Sequence, residues 1–254
     1  MQIESFYPKN QRPFKNNIIR EYLQYKILEV IFSSKYAGKM TLVGGTSLRI
    51  IFQHSRFSED LDFDIIGMEQ NEFIEMSNLV NKRMKLEGYN TEIKSAFQGA
   101  YRTQIAFKDI LFKQGLSGHK SEKLMIQVDA EAQGVAYKRE KPLINRFDVF
   151  LRINSAPADI LLSQKIYAIL KRNRPMGRDF YDAIFLFGRT KPAFNYLKAK
   201  TGIPDMENLK QRLLSRCKDL NFNLLASDIK PYLFSPDEEK KILLFPDYIR
   251  TLNG

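Results

Sequence analysis

Residues 56–66 read Arg-Phe-Ser-Glu-Asp-Leu-Asp-Phe-Asp-Ile-Ile. Acidic and apolar residues alternate from Asp60 to Ile65, which is the period-two pattern of a half-buried β-strand. On such a strand the apolar side chains face the core, while Asp60, Asp62 and Asp64 face the other way. Acidic residues two positions apart then lie roughly 6.5–7 Å from each other. The stretch therefore predicts a strand with an acidic face.

An acidic face of this kind predicts a site for divalent metal ions. Carboxylates that converge at this spacing repel one another unless a cation lies between them. Hard oxygen ligands suit Mg²⁺ or Mn²⁺, and such acidic pairs support phosphoryl chemistry in which two ions hold the attacking and leaving oxygens. The alternative is a solvated strand face, which is the commoner meaning of a lone Asp-x-Asp.

Length and composition describe an ordered, basic, globular protein. The chain has 254 residues, of which 44% are hydrophobic, so it can bury a core in one large domain or two small ones. The 40 Lys and Arg residues outnumber the 29 Asp and Glu residues and give a net charge of +11. Such an excess favours polyanionic partners, nucleic acid first among them.

Residue types that are rare in the sequence disfavour several classes of function. Cys217 is the only cysteine, which argues against an internal disulfide and a cysteine-rich zinc site and favours a reducing cytoplasm. The sequence has no apolar run of membrane-spanning length and no signal-peptide pattern at its start. The two histidines, His54 and His119, are too few for a histidine-based metal site or triad, and neither is a favoured catalyst.

Hydrophobic periodicity predicts an α+β protein. Helices are expected at 18–34, 46–53 and 70–87, and strands at 39–43, 60–66, 89–95, 100–112 and 122–131, the last two as a hairpin around residues 115–118. Beyond about residue 155 the pattern is wholly helical, with helices near 158–173, 179–187, 205–218 and 237–244. This order predicts an α+β domain over residues 1–155 and a helical domain over 156–254.

Gly44-Gly45-Thr46-Ser47 joins the strand at 39–43 to the next helix. Glycine lets a phosphate approach the backbone closely, and a helix amino terminus offers N–H groups and a positive dipole end. The hydroxyls of Thr46 and Ser47 can add hydrogen bonds. A plain tight turn is the alternative. The predicted order of strand, glycine turn, helix and acidic strand would bring a triphosphate-binding turn next to the metal site.

The strand at 122–131 offers a third carboxylate. If it lies beside the strand at 60–66, Asp129 could bind the metal ions and accept the proton of an attacking hydroxyl. An acidic residue that merely ends a strand is the alternative, and Glu131 is a weaker competitor for the same role.

The helical half offers a lysine and two acids. Lys165 leaves the edge of an apolar helix face, from which its ammonium could bind a nucleotide phosphate as a point charge. Asp179 and Asp182 share one face of the next helix, where either could orient that ammonium or hold the two helices together. Basic residues that could contact RNA or keep the protein soluble surround these helices: Lys171, Arg172, Arg174, Arg178, Arg189 and Lys191.

The combined pattern resembles the AbiEii/AbiGii-type nucleotidyltransferase toxins, the group that includes the MenT toxins. The resemblance covers roughly residues 40–190 and is carried by Gly44-Gly45-Thr46-Ser47-Leu48, Arg56-x-Ser58-x-Asp60-Leu61-Asp62-Phe63, Lys165 and Arg178-Asp179-x-x-Asp182. It implies a polymerase-β-like nucleotidyltransferase fold, with a mixed sheet that carries the acidic residues and a helical domain that closes the nucleotide cleft.

The resemblance also implies roles for individual residues. Asp60, Asp62 and Asp129 would bind Mg²⁺ or Mn²⁺, and Lys165 would contact the phosphates of an NTP. Asp182 or Asp179 would complete the site from the helical side. The NTP would further be held by the glycine turn and by the start of the acidic motif, that is by Gly44, Gly45, Thr46, Ser47, Arg56 and Ser58. Arg56 and Ser58 could instead fix the turn before the strand, and Asp64 is not required by the motif.

The implied function is that of a toxin in a toxin–antitoxin or phage-defence pair. Such an enzyme transfers a nucleoside monophosphate from an NTP to an acceptor, here the 3′ end of a tRNA, and has a cognate antitoxin. It requires Lys165 to meet Asp60 and Asp62 around the same ions. Two alternatives stay open: a non-catalytic RNA- or partner-binding protein that keeps the fold, and a metal-dependent nuclease.

Overall fold

The computed structural model describes residues 2–252, which divide into two compact units. The first unit takes the residues up to 53 together with 57–134 and 139–155, and the second takes 54–56, 135–138 and the residues from 156 onward. Each unit is therefore discontinuous in sequence. The assignment of nucleotide binding to one domain and of cleft closure to the other stays a prediction.

The first unit mixes helices and strands in the order that the sequence predicts. Its elements are α1 (Lys15–Phe32), β1 (Met40–Val43), α2 (Gly44–Ile51), β2 (Leu61–Ile65), α3 (Gln70–Leu86), β3 (Thr91–Gln98), β4 (Ala100–Lys108), α4 (Ile110–Lys113), β5 (Lys123–Glu131), β6 (Leu143–Arg146) and β7 (Val149–Arg152). The α+β class is confirmed.

Five strands form one mixed sheet with the order β1-β2-β5-β4-β3. β2 runs parallel to β5, and the other neighbouring pairs are antiparallel. The acidic strand and the strand that carries Asp129 are neighbours, which is the condition that the sequence analysis set for a role of Asp129, and the register pairs Asp62 with Asp129. β6 and β7 form a separate antiparallel hairpin.

The core of the first unit lies on one side of this sheet. Ile27 of α1 and Phe73 of α3 are completely buried and pack in one cluster with Leu61 and Phe63 of β2. Burial of each such side chain contributes about 1.5–3 kcal/mol. The alternating residues on the other face of β3–β5, such as Lys94, Gln104 and Met125, are exposed. The alternation of apolar and polar residues along β2 and β5 thus has the predicted cause.

One predicted strand of this unit is wrong in its end point, and two short strands were not predicted. The strand predicted over 100–112 ends at Lys108, because Asp109 adopts a left-handed conformation with φ of 54° and begins the short helix α4. The connection from β4 to β5 therefore contains this helix as well as the turn around residues 115–118. The hairpin of β6 and β7 was not predicted, since each strand has four residues and buries only Ile144 or Val149.

The second unit is helical, as predicted. It contains α5 (Ala158–Lys171), α6 (Gly177–Phe187), α7 (Phe194–Thr201), α8 (Met206–Cys217), α9 (Phe222–Ile229), α10 (Lys240–Leu243) and α11 (Phe245–Thr251). The helix predicted near 237–244 is a 3₁₀ turn at Pro236–Glu239 followed by α10, and α7, α9 and α11 were not predicted. None of the helices between residues 2 and 252 combines the length and apolar character needed to cross a lipid bilayer.

The pairing of α5 with α6 determines where the polar residues of the second unit lie. Phe180, Ala183 and Leu186 of α6 are buried, as expected of an amphipathic helix. Asp179 and Asp182, expected on a separate polar face, are also completely buried. Because a buried carboxylate needs a charged or hydrogen-bonding partner, this burial predicts a network of ions around α6.

Candidate functional site

Asp60 and Asp62 lie at the amino-terminal edge of β2. Asp60 immediately precedes the strand, and Asp62 is its second residue, paired with Val43 on one side and Asp129 on the other. The hydroxyl of Thr46 donates a hydrogen bond to the carbonyl oxygen of Asp60, so α2 fixes the entry to the strand. Sequence and structure thus agree on two carboxylates at one edge of the sheet.

The absence of a side chain at Gly44 leaves room for the carboxylate of Asp62. This glycine begins α2 with φ of +70°, in the left-handed region that favours glycine. A Cβ atom at position 44 would overlap the Asp62 side chain. The sequence suggested that the two glycines admit a phosphate, and the structure adds that the first of them admits the acidic side chain itself.

Asp64 has a structural contact. It is buried, and its carboxylate accepts a hydrogen bond from the backbone N–H of Gln133 at 3.0 Å. This contact ties the end of β2 to the segment that follows β5. The alternation along β2 therefore brings three acids to one face, of which the innermost supports the fold.

Asp129 carries a partner that the sequence did not predict. Nε and Nη2 of Arg102, which is opposite Asp129 in the register of β4 and β5, donate to its two carboxylate oxygens at 2.8 and 3.3 Å. The amide of Gln127 donates to the same carboxylate at 2.8 Å. Hydrogen bonding and charge from Asp129, with further contributions from Asp60 and Asp62, raise the pKa of Arg102.

The hydroxyls of the glycine turn make contacts within the first unit. Thr46 and Ser47 are completely buried. The Thr46 hydroxyl bonds to Asp60, as described above, and the Ser47 hydroxyl lies 3.0 Å from that of Ser155. Their predicted hydrogen bonds to a triphosphate stay a prediction, and the backbone N–H groups in the first turn of α2 are better suited to that role than the side chains.

Ser58 belongs to the turn before β2. The side-chain amide of Gln24 donates to the carbonyl oxygens of Ser58 and Glu59, at 3.1 and 3.0 Å. The Gln24 side chain thus fixes the backbone of the turn, and both suggested roles of the Ser58 side chain stay predictions.

The second unit contains the buried ionic network around α6. The ammonium of Lys165 lies 3.1 Å from Asp179 and 2.8 Å from Asp182. Arg56 donates two hydrogen bonds of 2.6 Å to the two oxygens of Asp182. Arg172 lies 3.4 Å from Asp179. Three positive side chains thus surround two carboxylates, and the network keeps one net positive charge.

His54 completes this network. Its Nε2 lies 3.0 Å from Asp182, and its ring stacks on Tyr181 with centroids 4.9 Å apart. Burial lowers the pKa of His54 and outweighs the hydrogen bond to Asp182 that raises it. The imidazole is therefore neutral at pH 7. The expectation that His54 is not a favoured catalyst agrees with this enclosed position.

For Lys165 and Asp182, the effect of neighbouring charges on the pKa outweighs the effect of burial. Burial lowers the pKa of Lys165, but the charges of Asp182 and Asp179 raise it above its ordinary value. Burial likewise raises the pKa of Asp182, yet Arg56 and Lys165 hold it well below its usual range. Both groups are therefore charged at pH 7, and the ammonium of Lys165 is held in place by two anions.

Two groups of predicted residues are thus formed within separate units. The first unit contains the glycine turn and the sheet carboxylates: Gly44, Gly45, Thr46, Ser47, Ser58, Asp60, Asp62 and Asp129. The second unit contains the members of the ionic network: Arg56, Lys165, Asp179 and Asp182. The meeting of Lys165 with Asp60 and Asp62 around one nucleotide stays a prediction.

The donor set of the first unit fits a hard divalent cation. Asp60 and Asp62 supply carboxylate oxygens, the ligands that Mg²⁺ and Mn²⁺ prefer. Asp129 is a neighbour in the register but is held by Arg102. Within residues 2–252, no three acidic, histidine or cysteine side chains already converge as a metal-binding group. Asp60 and Asp62 are the residues that would hold the predicted metal ion, and Asp129 as a third ligand stays a prediction.

Comparison with solved structures shows that the fold of this chain occurs in other proteins. The crystal structure of JHP933 from Helicobacter pylori matches with a TM-score of 0.57 at 18% identity, over 92% of this chain and 90% of that one. A putative nucleotidyltransferase from H. pylori matches with a TM-score of 0.57 at 18% identity, over 92% of each chain. At this identity the likeness shows a shared fold and no more.

A family comparison gives the identity more closely. The model described as "Nucleotidyl transferase AbiEii toxin, Type IV TA system" matches residues 26–241. The chain therefore belongs to the AbiEii nucleotidyltransferase toxin family, and the resemblance seen in the motifs is confirmed. No curated protein sequence matches the chain. Membership of a type IV toxin–antitoxin family implies an antitoxin as a partner.

Proposed function

We propose that this protein transfers a nucleoside monophosphate from an NTP to a hydroxyl group at the 3′ end of a tRNA. It would do so as the toxin of a toxin–antitoxin or phage-defence pair, in the cytoplasm, where both substrates occur. The observation that carries the proposal is the pair of carboxylates of Asp60 and Asp62 beside the glycine turn, with Asp62 packed against Gly44.

The acceptor hydroxyl attacks the α-phosphorus of the NTP, and pyrophosphate leaves. Asp60 and Asp62 would hold Mg²⁺ or Mn²⁺, which when bound supplies Lewis-acid stabilisation of the charge on the phosphoryl oxygens. Asp129 is suited to accept the proton of the acceptor hydroxyl once its carboxylate is released by Arg102. The α2 amino terminus would bind phosphate oxygens through the backbone N–H groups that follow Gly44.

The second unit would contribute positive charge. Lys165 would bind a phosphate oxygen of the NTP as a point charge. Its support is the network described above, in which the two carboxylates of Asp179 and Asp182 fix the ammonium and a net positive charge remains. Arg56 would act through Asp182, and nucleotide contact by Arg56 itself is the less favoured role because both sides of its guanidinium fork already bind Asp182.

An RNA acceptor agrees with the charge of the chain. The net charge of +11 attracts a polyanion and raises its rate of association. This argument supports nucleic acid as a class of acceptor, and the choice of tRNA rests on the family resemblance.

The test is transfer of label from each of the four NTPs to total tRNA in the presence of Mg²⁺. We expect Asp62→Asn to reduce labelling by about 100-fold or more, because metal-dependent stabilisation is worth several kcal/mol. Asp64→Asn is the matched control, since Asp64 lies two residues along the same strand and binds the Gln133 N–H. Lys165→Ala should reduce labelling far more than Lys171→Ala, which removes an exposed lysine from the same helix.

Undiminished labelling by both Asp62→Asn and Lys165→Ala would defeat the proposal. The same gel separates the alternatives. A nuclease would shorten the tRNA without added NTP, and a non-catalytic RNA-binding protein would retain tRNA without incorporating label.

A further inference from the structure

Arg102 lies in the same row of the sheet as the predicted metal ligands. The register pairs Asp62 with Asp129 across β2 and β5, and Asp129 with Arg102 across β5 and β4. Residues paired on neighbouring strands lie on the same face of a sheet. The three side chains therefore stand side by side, with one cation at the end of a row of carboxylates.

The guanidinium of Arg102 already binds the carboxylate of Asp129. Its Nε and Nη2 bind both oxygens of Asp129, at 2.8 and 3.3 Å. A fork of this kind uses the lone pairs on one edge of the carboxylate. The Gln127 amide takes a further acceptor site on the same group. A carboxylate offers about four lone-pair sites, so these three hydrogen bonds leave about one site on Asp129 open to a metal ion.

We propose that Arg102 is an internal counter-cation that competes with the divalent metal ion for Asp129. With the metal absent, Arg102 offsets the repulsion among the carboxylates of Asp60, Asp62 and Asp129. When the ion is bound, Arg102 releases Asp129, which then becomes the third ligand. The inference rests on the proposed function for the identity of the ion and its first two ligands.

The exposure of Arg102 makes this exchange feasible. Its side chain is 49% exposed, so the guanidinium can move into solvent without leaving a buried charge unpaired. The Asp129 side chain is 24% exposed and stays near Asp62 through the backbone pairing of β2 and β5.

The test measures Mn²⁺ binding to the full chain by the loss of the free-ion signal in electron paramagnetic resonance, without NTP or RNA. We expect Arg102→Gln to bind Mn²⁺ about two- to fivefold more tightly than the unmodified protein, the factor that corresponds to loss of an exposed ion pair. Lys94→Gln is the control, because it removes an exposed positive charge from the same face without touching Asp129. An equal gain from Lys94→Gln would show a general charge effect and overturn the proposal.

A double-mutant cycle gives the second readout. Asp129→Asn should bind Mn²⁺ more weakly than the unmodified protein, and Arg102→Gln should then have no effect, because the two groups act on each other. The proposal fails if Arg102→Gln leaves the affinity unchanged or lowers it, if Asp129→Asn has no effect, or if neither the unmodified protein nor Arg102→Gln binds Mn²⁺. Thermal unfolding of each variant checks that it is folded.

This result is separable from the proposed enzyme activity. Competition between Arg102 and Mn²⁺ without any nucleotidyl transfer would leave the inference standing and remove the proposed function. Nucleotidyl transfer by a protein whose affinity for Mn²⁺ does not depend on Arg102 would keep the proposed function and remove the inference.

Discussion

At the scale of single residues, the contact between Gly44 and Asp62 gives a sharp prediction. Gly44→Ala should destabilise the protein by about 2 kcal/mol or more, because the new methyl group overlaps the Asp62 carboxylate and the residue must adopt positive φ. Gly67→Ala has a similar φ of +59° but open space around it, so it should cost only about 1 kcal/mol. Urea unfolding measures both, and equal losses would contradict the steric argument.

His54 should make the stability depend on pH. Since its folded pKa lies below the ordinary value, the unfolded chain binds more protons, and stability falls as the pH drops below about 6.5. This term can reach about 1.4 kcal/mol per pH unit below the unfolded pKa.

The His54→Gln variant isolates that dependence, because glutamine can still donate to Asp182. Urea unfolding at pH 5.5, 6.5 and 7.5 should show a smaller slope for His54→Gln than for the unmodified protein. His119→Gln, which replaces an exposed histidine, should keep the original slope. An unchanged slope in His54→Gln would show that another group causes the acid sensitivity.

Sequence could identify some residues of these sites and not others. Asp60 and Asp62 were recognisable because their pattern is local, within a single strand. Arg102 and His54 were not, because their partners are Asp129 and Asp182, which lie 27 and 128 positions further along the chain. A lone arginine or histidine gives no local sign of the carboxylate that it will meet.

At the scale of elements, the close packing of α6 and α9 depends on Gly177. A Cβ atom at this position would overlap the backbone carbonyl of Leu225 in α9. Gly177→Ala should therefore cost about 2 kcal/mol, as expected when a methyl group is forced into a packed contact. Gly188→Ala, at the other end of α6, would meet no atom closer than 3.7 Å and should change stability by less than about 0.5 kcal/mol. Thermal or urea unfolding of the two variants decides the point.

Elements with long, regular patterns were predictable, and short ones were not. The repeating apolar positions of α3 and α5 extend over 17 and 14 residues, and both helices lie within two residues of their predicted bounds. α7 buries only Tyr196 and Leu197, which is too little to define a period. The end of β4 was missed for another reason, since residues 110–112 are apolar whether they continue a strand or begin a helix.

At the scale of the whole molecule, the discontinuity of the second unit predicts that one substitution costs less stability in a fragment than in the full chain. In the full chain, Asp182→Asn should cost about 3 kcal/mol, because it breaks a buried pair and leaves Arg56 undercompensated. A fragment of residues 156–254 lacks Arg56 and His54. There, Asp182 has lost its bidentate partner but keeps Lys165 at 2.8 Å, so the same substitution should cost clearly less than in the full chain.

Urea unfolding followed by circular dichroism measures the effect in both proteins. Ser215→Ala, in α8 and away from the ionic network, is a control that should have the same small effect in each. A similar loss from Asp182→Asn in the fragment and the full chain would mean that residues 54–56 contribute little to the second unit.

The placement of residues 54–56 within the second unit also has a consequence for recombination between genes of this family. A crossover at the codon for residue 155 would join helices from one parent to a glycine turn and acidic strand from another. The hybrid would then meet its buried aspartate with a foreign arginine and histidine. We therefore expect recombination between distant relatives at residue 155 to give less stable proteins. The regions before and after this residue are then expected to be inherited together.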